Sequence, residues 1–188
     1  MFCNRIIRIF TATALLLAAT SCLKEKRESI YTGQESKIDQ YISSNMYVKG
    51  ENGQDTLRVV YSGGSNRLVL QEGDGEELKA DGTVSFYYAG YTFSGSKTTA
   101  NLFATNHEET ATAAGWKLTD ADYELLTLEM KDTELLNGLR DGIIGVKSGE
   151  HSVILFSGKY GFGKKPFGII PANSALLFEI WVEAVSNE

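Results

Sequence analysis

The stretch ELLNGLRDGIIGVKSGEHSVILFS, residues 134–157, carries a helical period followed by an apolar strand-like run, and that succession sets the architecture. Leu135, Leu136, Leu139 and Ile143 share one face of a helix predicted over 134–146, and such a face must bury against a partner. HSVILFS (151–157) then reads as a strand. ALLFEIWVEAV (175–185) reads as another, with Leu177, Glu179, Trp181 and Glu183 alternating against Leu176, Phe178, Ile180 and Val182.

Working towards the N-terminus, the pattern stays strand-like and is punctuated by glycine. LRVVYS (57–62), the turn Gly63-Gly64-Ser65-Asn66 and RLVLQEG (67–73) predict a hairpin. TVSFYYAGYTF (83–93), rich in β-branched and aromatic residues, suits a core strand, and LLTLEM (125–130) suits a further one. Residues 94–123 read as loop apart from the apolar points Leu102, Phe103 and Trp116. Five or six strands against one core helix predict an α+β fold, an antiparallel sheet wrapped on a single short helix. Ahead of it, Thr32 and Glu35 fit a capping box. Ile38, Tyr41 and Ile42 follow at helical spacing, so an extra N-terminal helix is expected over 33–45, either packed on the main domain or serving as a partner-binding arm.

The composition fits one globular domain with length to spare, since 188 residues are 43% hydrophobic and 22% charged, unlike a disordered or collagen-like chain. A formal charge of -6 argues against nucleic acid as a partner, because phosphate binding needs a concentrated positive field. The only cysteines are Cys3 and Cys22, so no CxxC-based metal cluster can form and no metal site is expected.

The N-terminus has the tripartite form of a secretory signal: Arg5 and Arg8, an apolar run from Ile9 to Ala19, then small residues up to Cys22. Its apolar run is short for a permanent span of about 30 Å of hydrocarbon. Ala19-Thr20-Ser21-Cys22 resembles a bacterial lipobox. That resemblance implies a removed signal at 1–21, lipidation of Cys22, a charged tether (LKEKRESI, 23–30) and a lipid-anchored protein of the bacterial cell envelope, facing the periplasm or at the outer-membrane surface. The alternative is a plain cleaved signal with a chance cysteine. Residues 22–54 then form tether and helix, and 55–188 the main domain.

Polar catalytic inventory is sparse. The two histidines are His107, in a loop where solvation is expected, and His151 at a strand start, and neither belongs to a Ser-His-Asp order or an HExxH pattern. Gly161-Phe162-Gly163-Lys164-Lys165 lacks the spacing of a phosphate loop. Glu108, Glu109, Asp120 and Asp122 lack calcium-loop spacing and read as a solvated face. The aromatic and aliphatic residues near the turns suit a dry binding pocket better than a polar reaction centre.

The chain from Arg67 to Val185 resembles the FKBP family of peptidyl-prolyl isomerases. The resemblance rests on Gly138, Gly142, Ile143, Gly145, Gly149 and Glu150 at the family's spacing and on Gly-Ile-Ile-Pro at 168–171. It implies a strongly curved, FKBP-like sheet and a pocket between that sheet and the 136–143 helix, built by Tyr88, Phe103, Leu136, Leu139, Phe162, Ile170 and Phe178, with Leu126, Leu135 and Ile169 touching substrate. The amide of Leu136 would donate to a ligand carbonyl. The implied function is cis-trans isomerisation of X-Pro bonds in proline-containing polypeptides, as a folding helper, by a monomer with no cofactor. The alternative is a binding module that kept the fold without turnover. Three departures bear on that choice: Ala104 stands where the family has aspartate, Leu139 where it has tryptophan and Phe162 where it has tyrosine. The segment from Phe103 to Leu125 is also longer than the family's and is expected to fold over the pocket mouth.

Overall fold

A computed structural model describes residues 3–50, 53–131 and 134–187, with backbone alone for 3–22, 49, 50, 53 and 54. Helix α1 (Cys3–Asn45) leads into a hairpin of β1 (Tyr47–Gly50) and β2 (Gly53–Thr56). Seven strands then build one antiparallel sheet: β3 (Val59–Ser62), β4 (Ser65–Gln71), β5 (Thr83–Phe93), β6 (Leu102–Thr105), β7 (Leu126–Glu129), β8 (His151–Phe156) and β9 (Ala175–Ser186). Their order is β3-β4-β8-β9-β5-β6, and β7 pairs with the beginning of β5 while β6 pairs with its later part. Two short helices complete the fold, α2 (Glu108–Ala113) and α3 (Asn137–Ile143).

β9 joins the two halves of the sheet, with β8 on one side and β5 on the other. Its alternation separates two apolar layers. Leu176, Phe178, Ile180 and Val182 face α3 in one cluster, with Val84 and Phe86 of β5 and Ile154 and Phe156 of β8. Leu177, with Tyr91, Phe93 and Leu155, faces Ile38 and Ile42 of α1 in the other. The amphipathic helix therefore packs on the main domain. Ile38 and Ile42 are 0% and 2% exposed, so their burial supplies a hydrophobic seal of about 1.5–3 kcal/mol per side chain.

Several expectations need correction. The N-terminal helix does not start at Thr32: Thr32 and Gly33 lie inside α1, and 23–30, expected as a tether, is helical. Lys, Glu and Arg are strong helix formers, and the docked Tyr31, Ile38 and Ile42 offset the roughly 1 kcal/mol cost of Gly33. The signal reading at 1–21 includes Met1 and Phe2, outside the described residues, as is the Cys22 side chain. No described helix is long and apolar enough to cross a membrane. The sheet exceeds the expected five or six strands because β6 lies in the stretch read as loop.

The core helix is shorter than 134–146, because Leu136 and Ile144 have extended ψ of 134° and 131° at its two ends. It lies close on the sheet: a Cβ on Gly138 would sit 2.2 Å from the Phe156 ring, and one on Gly142 would sit 2.3 Å from Ile154. Its C-terminal carbonyls, unsatisfied within any helix, are taken by a buried cation. Arg67 Nη1 donates to the carbonyls of Gly142, Ile143 and Ile144 at 3.2, 3.4 and 3.3 Å, and Nη2 donates to that of Gly145 at 3.2 Å. Arg67 and its ion-pair partner Glu150, 3.4 Å away, are only 2% and 0% exposed.

Candidate functional site

The cluster between α3 and the sheet gathers the residues expected to build the pocket. Leu139, Ile170 and Phe178 are buried members, and Tyr88, Phe103, Leu126, Leu135, Leu136 and Phe162 pack against them. Ile169 does not join, being 76% exposed. The backbone explains this: Phe167 and Ile170 exchange hydrogen bonds of 3.0 and 2.9 Å across a two-residue turn, which puts Ile169 at the tip and Ile170 inside.

Phe178 is the centre of the aromatic arrangement. Its ring stacks on Phe156 at 6.0 Å and meets Phe103 edge-on at 5.8 Å and 82°. Gly90 pairs with both Phe178 and Ala104, and a Cβ there would lie 2.7 Å from the Phe103 ring. The absent side chain is thus the space that Phe103 fills.

Tyr88 is fixed through its backbone. Its amide donates to Asn106 Oδ1 at 2.6 Å, while its carbonyl accepts from Thr105 Oγ1 at 2.7 Å and from the Asn106 amide at 3.2 Å. Burial pushes the Tyr88 phenol above its ordinary range. Among the described residues the Tyr88 hydroxyl has no hydrogen-bond partner. Asn106 was not singled out by the sequence, yet its side chain also donates to the Glu124 carbonyl at 2.9 Å and so closes the long segment back onto β5. Tyr160 was missed too. It packs on the cluster, and its carbonyl accepts from the Gly138 amide at 2.9 Å, holding the start of α3.

Leu136 is the N-cap of α3, with φ -56° and ψ 134°. Its carbonyl takes the Arg140 amide at 2.9 Å. Its own amide has no acceptor among the described residues, leaving one free donor on a half-buried residue at the edge of the apolar cluster. Phe162 stacks on the exposed Phe167 at 4.5 Å and 5°, so the rim is aromatic.

The long segment after Phe103 goes elsewhere than expected. Ala111 of α2 is fully buried, and Trp116 packs on the cluster at the α1 face of the sheet. His107 is half-buried instead of solvated, lying flat on Trp181 at 3.8 Å and 7°, and His151 also stacks on that indole at 4.9 Å and 16°. The apolar rings recruit this segment to the back of the sheet. No group of three metal-ligating side chains occurs among the described residues.

The antiparallel sheet with α3 held on one face has the fold of FKBP domains. The model of the FKBP-type peptidyl-prolyl cis-trans isomerase family matches residues 74–183, and the chain belongs to that family. It is 24% identical over 117 residues to FK506-binding protein 1 of Aspergillus oryzae, covering 62% of this chain and 94% of that protein. It is 27% identical over 113 residues to FK506-binding protein 1 of Yarrowia lipolytica, covering 59% and 88%. In fold it is similar to FkpA from Escherichia coli, with a TM-score of 0.52 at 20% identity over 94% of this chain and 70% of that one. The N-terminal domain of FKBP42 from Arabidopsis thaliana gives 0.53 at 17% identity, covering 75% and 99%.

Proposed function

We propose that this chain turns X-Pro bonds of proline-containing polypeptides between cis and trans in the apolar cluster between α3 and the sheet, as a folding helper. Family membership supports isomerase activity. The observation that carries the site assignment is the free amide of Leu136 beside Tyr88, Phe103, Leu139 and Phe178.

Rotation about the peptide bond costs about 18–20 kcal/mol because amide resonance is lost at the twisted state. An acceleration of about 10⁴ to 10⁶ requires roughly 5.5–8 kcal/mol of selective stabilisation. A twisted amide has a less polarised carbonyl than a planar one, so a site with few polar groups favours it over the ground state. The Leu136 amide holds the neighbouring carbonyl while Phe178 and Leu139 enclose the proline ring. No nucleophile or general base takes part.

The N-terminal sequence supports attachment to the bacterial cell envelope through lipid on Cys22 after removal of 1–21, with 22–54 linking the anchor to the domain from 55 onward. Mass spectrometry of the mature N-terminus checks this, and a free Cys22 thiol there would exclude it.

A non-catalytic binding role is the second reading. It is favoured by the Tyr88 hydroxyl lacking a carboxylate partner and by Phe162 offering no hydroxyl. Proline-limited refolding catalysed by the full-length chain decides between the two. Leu136→Pro suits the observed φ and deletes only the amide hydrogen beyond what Leu136→Ala removes. Isomerase activity should fall in the proline variant well below that of the alanine variant. Peptide binding without any rate above the uncatalysed reaction in the wild type would establish the binding role instead.

A further inference from the structure

We propose that Gln34, on α1 and outside the family-matched segment, is a positioning residue for the isomerase site; the inference rests on the function proposed above. The loop between β8 and β9 brings Tyr160, Phe162 and Ile170 to the cluster, so its shape sets the rim. The two feet of this loop are Gly158 and Asn173. They touch closely, since a Cβ on Gly158 would lie 2.5 Å from the Asn173 carbonyl oxygen. Among the described residues, no backbone hydrogen bond joins one foot to the other, and the β8–β9 ladder ends at Phe156 and Leu176.

Gln34 supplies the missing link. Its Oε1 accepts from the Gly158 amide at 2.9 Å, and its Nε2 donates to the Asn173 carbonyl at 2.6 Å. One primary amide therefore bonds both feet, with the donor and acceptor pair that a strand would otherwise provide. Two neighbours on α1 reinforce it: the Tyr31 hydroxyl donates to Asn173 Oδ1 at 2.9 Å, and Glu35 Oε1 accepts from Ser157 Oγ at 3.3 Å. The grip reaches inward, because Asn173, in the left-handed region at φ 59°, donates its amide to the Gly163 carbonyl at 2.6 Å, one residue beyond Phe162. Helix α1 is thus a brace for the rim as well as a cover for the back of the sheet.

The test uses this chain with a proline-containing tetrapeptide, comparing Gln34→Ala with Ile38→Ala, which trims packing behind the sheet and leaves both bonds of Gln34 to the loop in place. Gln34→Ala should raise KM about five- to tenfold, near the loss of one or two neutral hydrogen bonds, and leave kcat within about twofold. Hydrogen exchange should quicken at the loop amides of Gly163 and Ile170 but not in β8. Ile38→Ala should lower the unfolding midpoint with neither change. Equal effects from both variants, or unchanged loop exchange in Gln34→Ala, would overturn the brace. If the wild type binds the peptide without turning it over, the proposed activity fails, while peptide Kd and loop exchange still decide the role of Gln34.

Discussion

The ring of Phe103 stands edge-on against Phe178 at 5.8 Å, in a space left open because residue 90 is glycine. A methyl group there would lie 2.7 Å from Phe103 and 3.1 Å from Phe178. Gly90→Ala must therefore separate the two rings or bend β5, at an overpacking cost of about 1–3 kcal/mol. Urea unfolding should show this loss, and kcat/KM should fall with it. Full activity at wild-type stability would mean the pair is not a fixed part of the site.

Phe162 stacks flat on Phe167 at the aromatic rim and has no hydroxyl to offer a substrate. Phe162→Tyr keeps the stacking on Phe167 and adds one donor at the rim. A hydrogen bond to substrate worth about 1 kcal/mol would raise kcat/KM roughly fivefold in the peptide assay. No gain would show that this ring acts by shape alone.

The buried Arg67–Glu150 pair closes the end of α3. Arg67→Met leaves the fully buried Glu150 with Arg58, 3.7 Å away, as its remaining cation, and breaking a buried pair costs about 3–5 kcal/mol. Replacing both residues with Met should recover part of that loss, because it removes the buried carboxylate but leaves the α3 carbonyls that Arg67 held without a donor. Denaturant midpoints of the two variants give the comparison, which fails if the double variant is the weaker.

Acid should destabilise the back of the sheet in two stages. Burial lowers the His107 pKa from its ordinary 6.5, against opposing pulls from Glu109 and Glu179. The folded state then binds fewer protons than the unfolded chain below pH 6.5, so the contribution of His107 is present above that value and lost as pH falls below it. Burial raises the Glu179 pKa, but hydrogen bonds from His151 at 3.0 Å and Lys97 at 2.7 Å outweigh it and hold the carboxyl below its ordinary 4.5. Its contribution is present above pH 4.5 and lost on further acidification. Unfolding midpoints measured against pH should decline in both ranges, and His107→Gln should flatten the upper one alone. An unaltered upper slope in that variant would sink the assignment.

The sequence made the central strands and the core helix legible because their patterns are local. β5, β8 and β9 each carry a long apolar run, and Leu139 and Ile143, four apart, fall on the buried face of α3 while Leu135 and Leu136 of the same pattern precede it. β6, in contrast, is a four-residue strand read as loop around the apolar Leu102 and Phe103, because its pairing is with the distant β5 and a partner in space leaves no period in sequence. The same reason hid Asn106, Tyr160 and Gln34, whose roles consist of bonds to residues far along the chain. His107 looked solvated because nothing near it in sequence announces Trp181. Thr32 looked like a helix start because a capping box is a local motif, and tertiary docking of Tyr31 and Ile38 overrode it.

The place of β9 between β5 and β8 has a consequence for how the chain reaches this state. The strand that joins the two halves of the sheet follows every other strand of it in sequence, whereas α1, which seals its back, precedes them all. Strands β4 and β8, or β5 and β6, can pair without it, but the two halves cannot join until β9 is present, and until then α1 lacks Ala175 and Leu177 of the surface it covers. Folding is therefore a late, long-range event, slow in the manner of folds dominated by distant strand pairing. A chain stalled before Ala175 would lack the seam of the sheet instead of an edge.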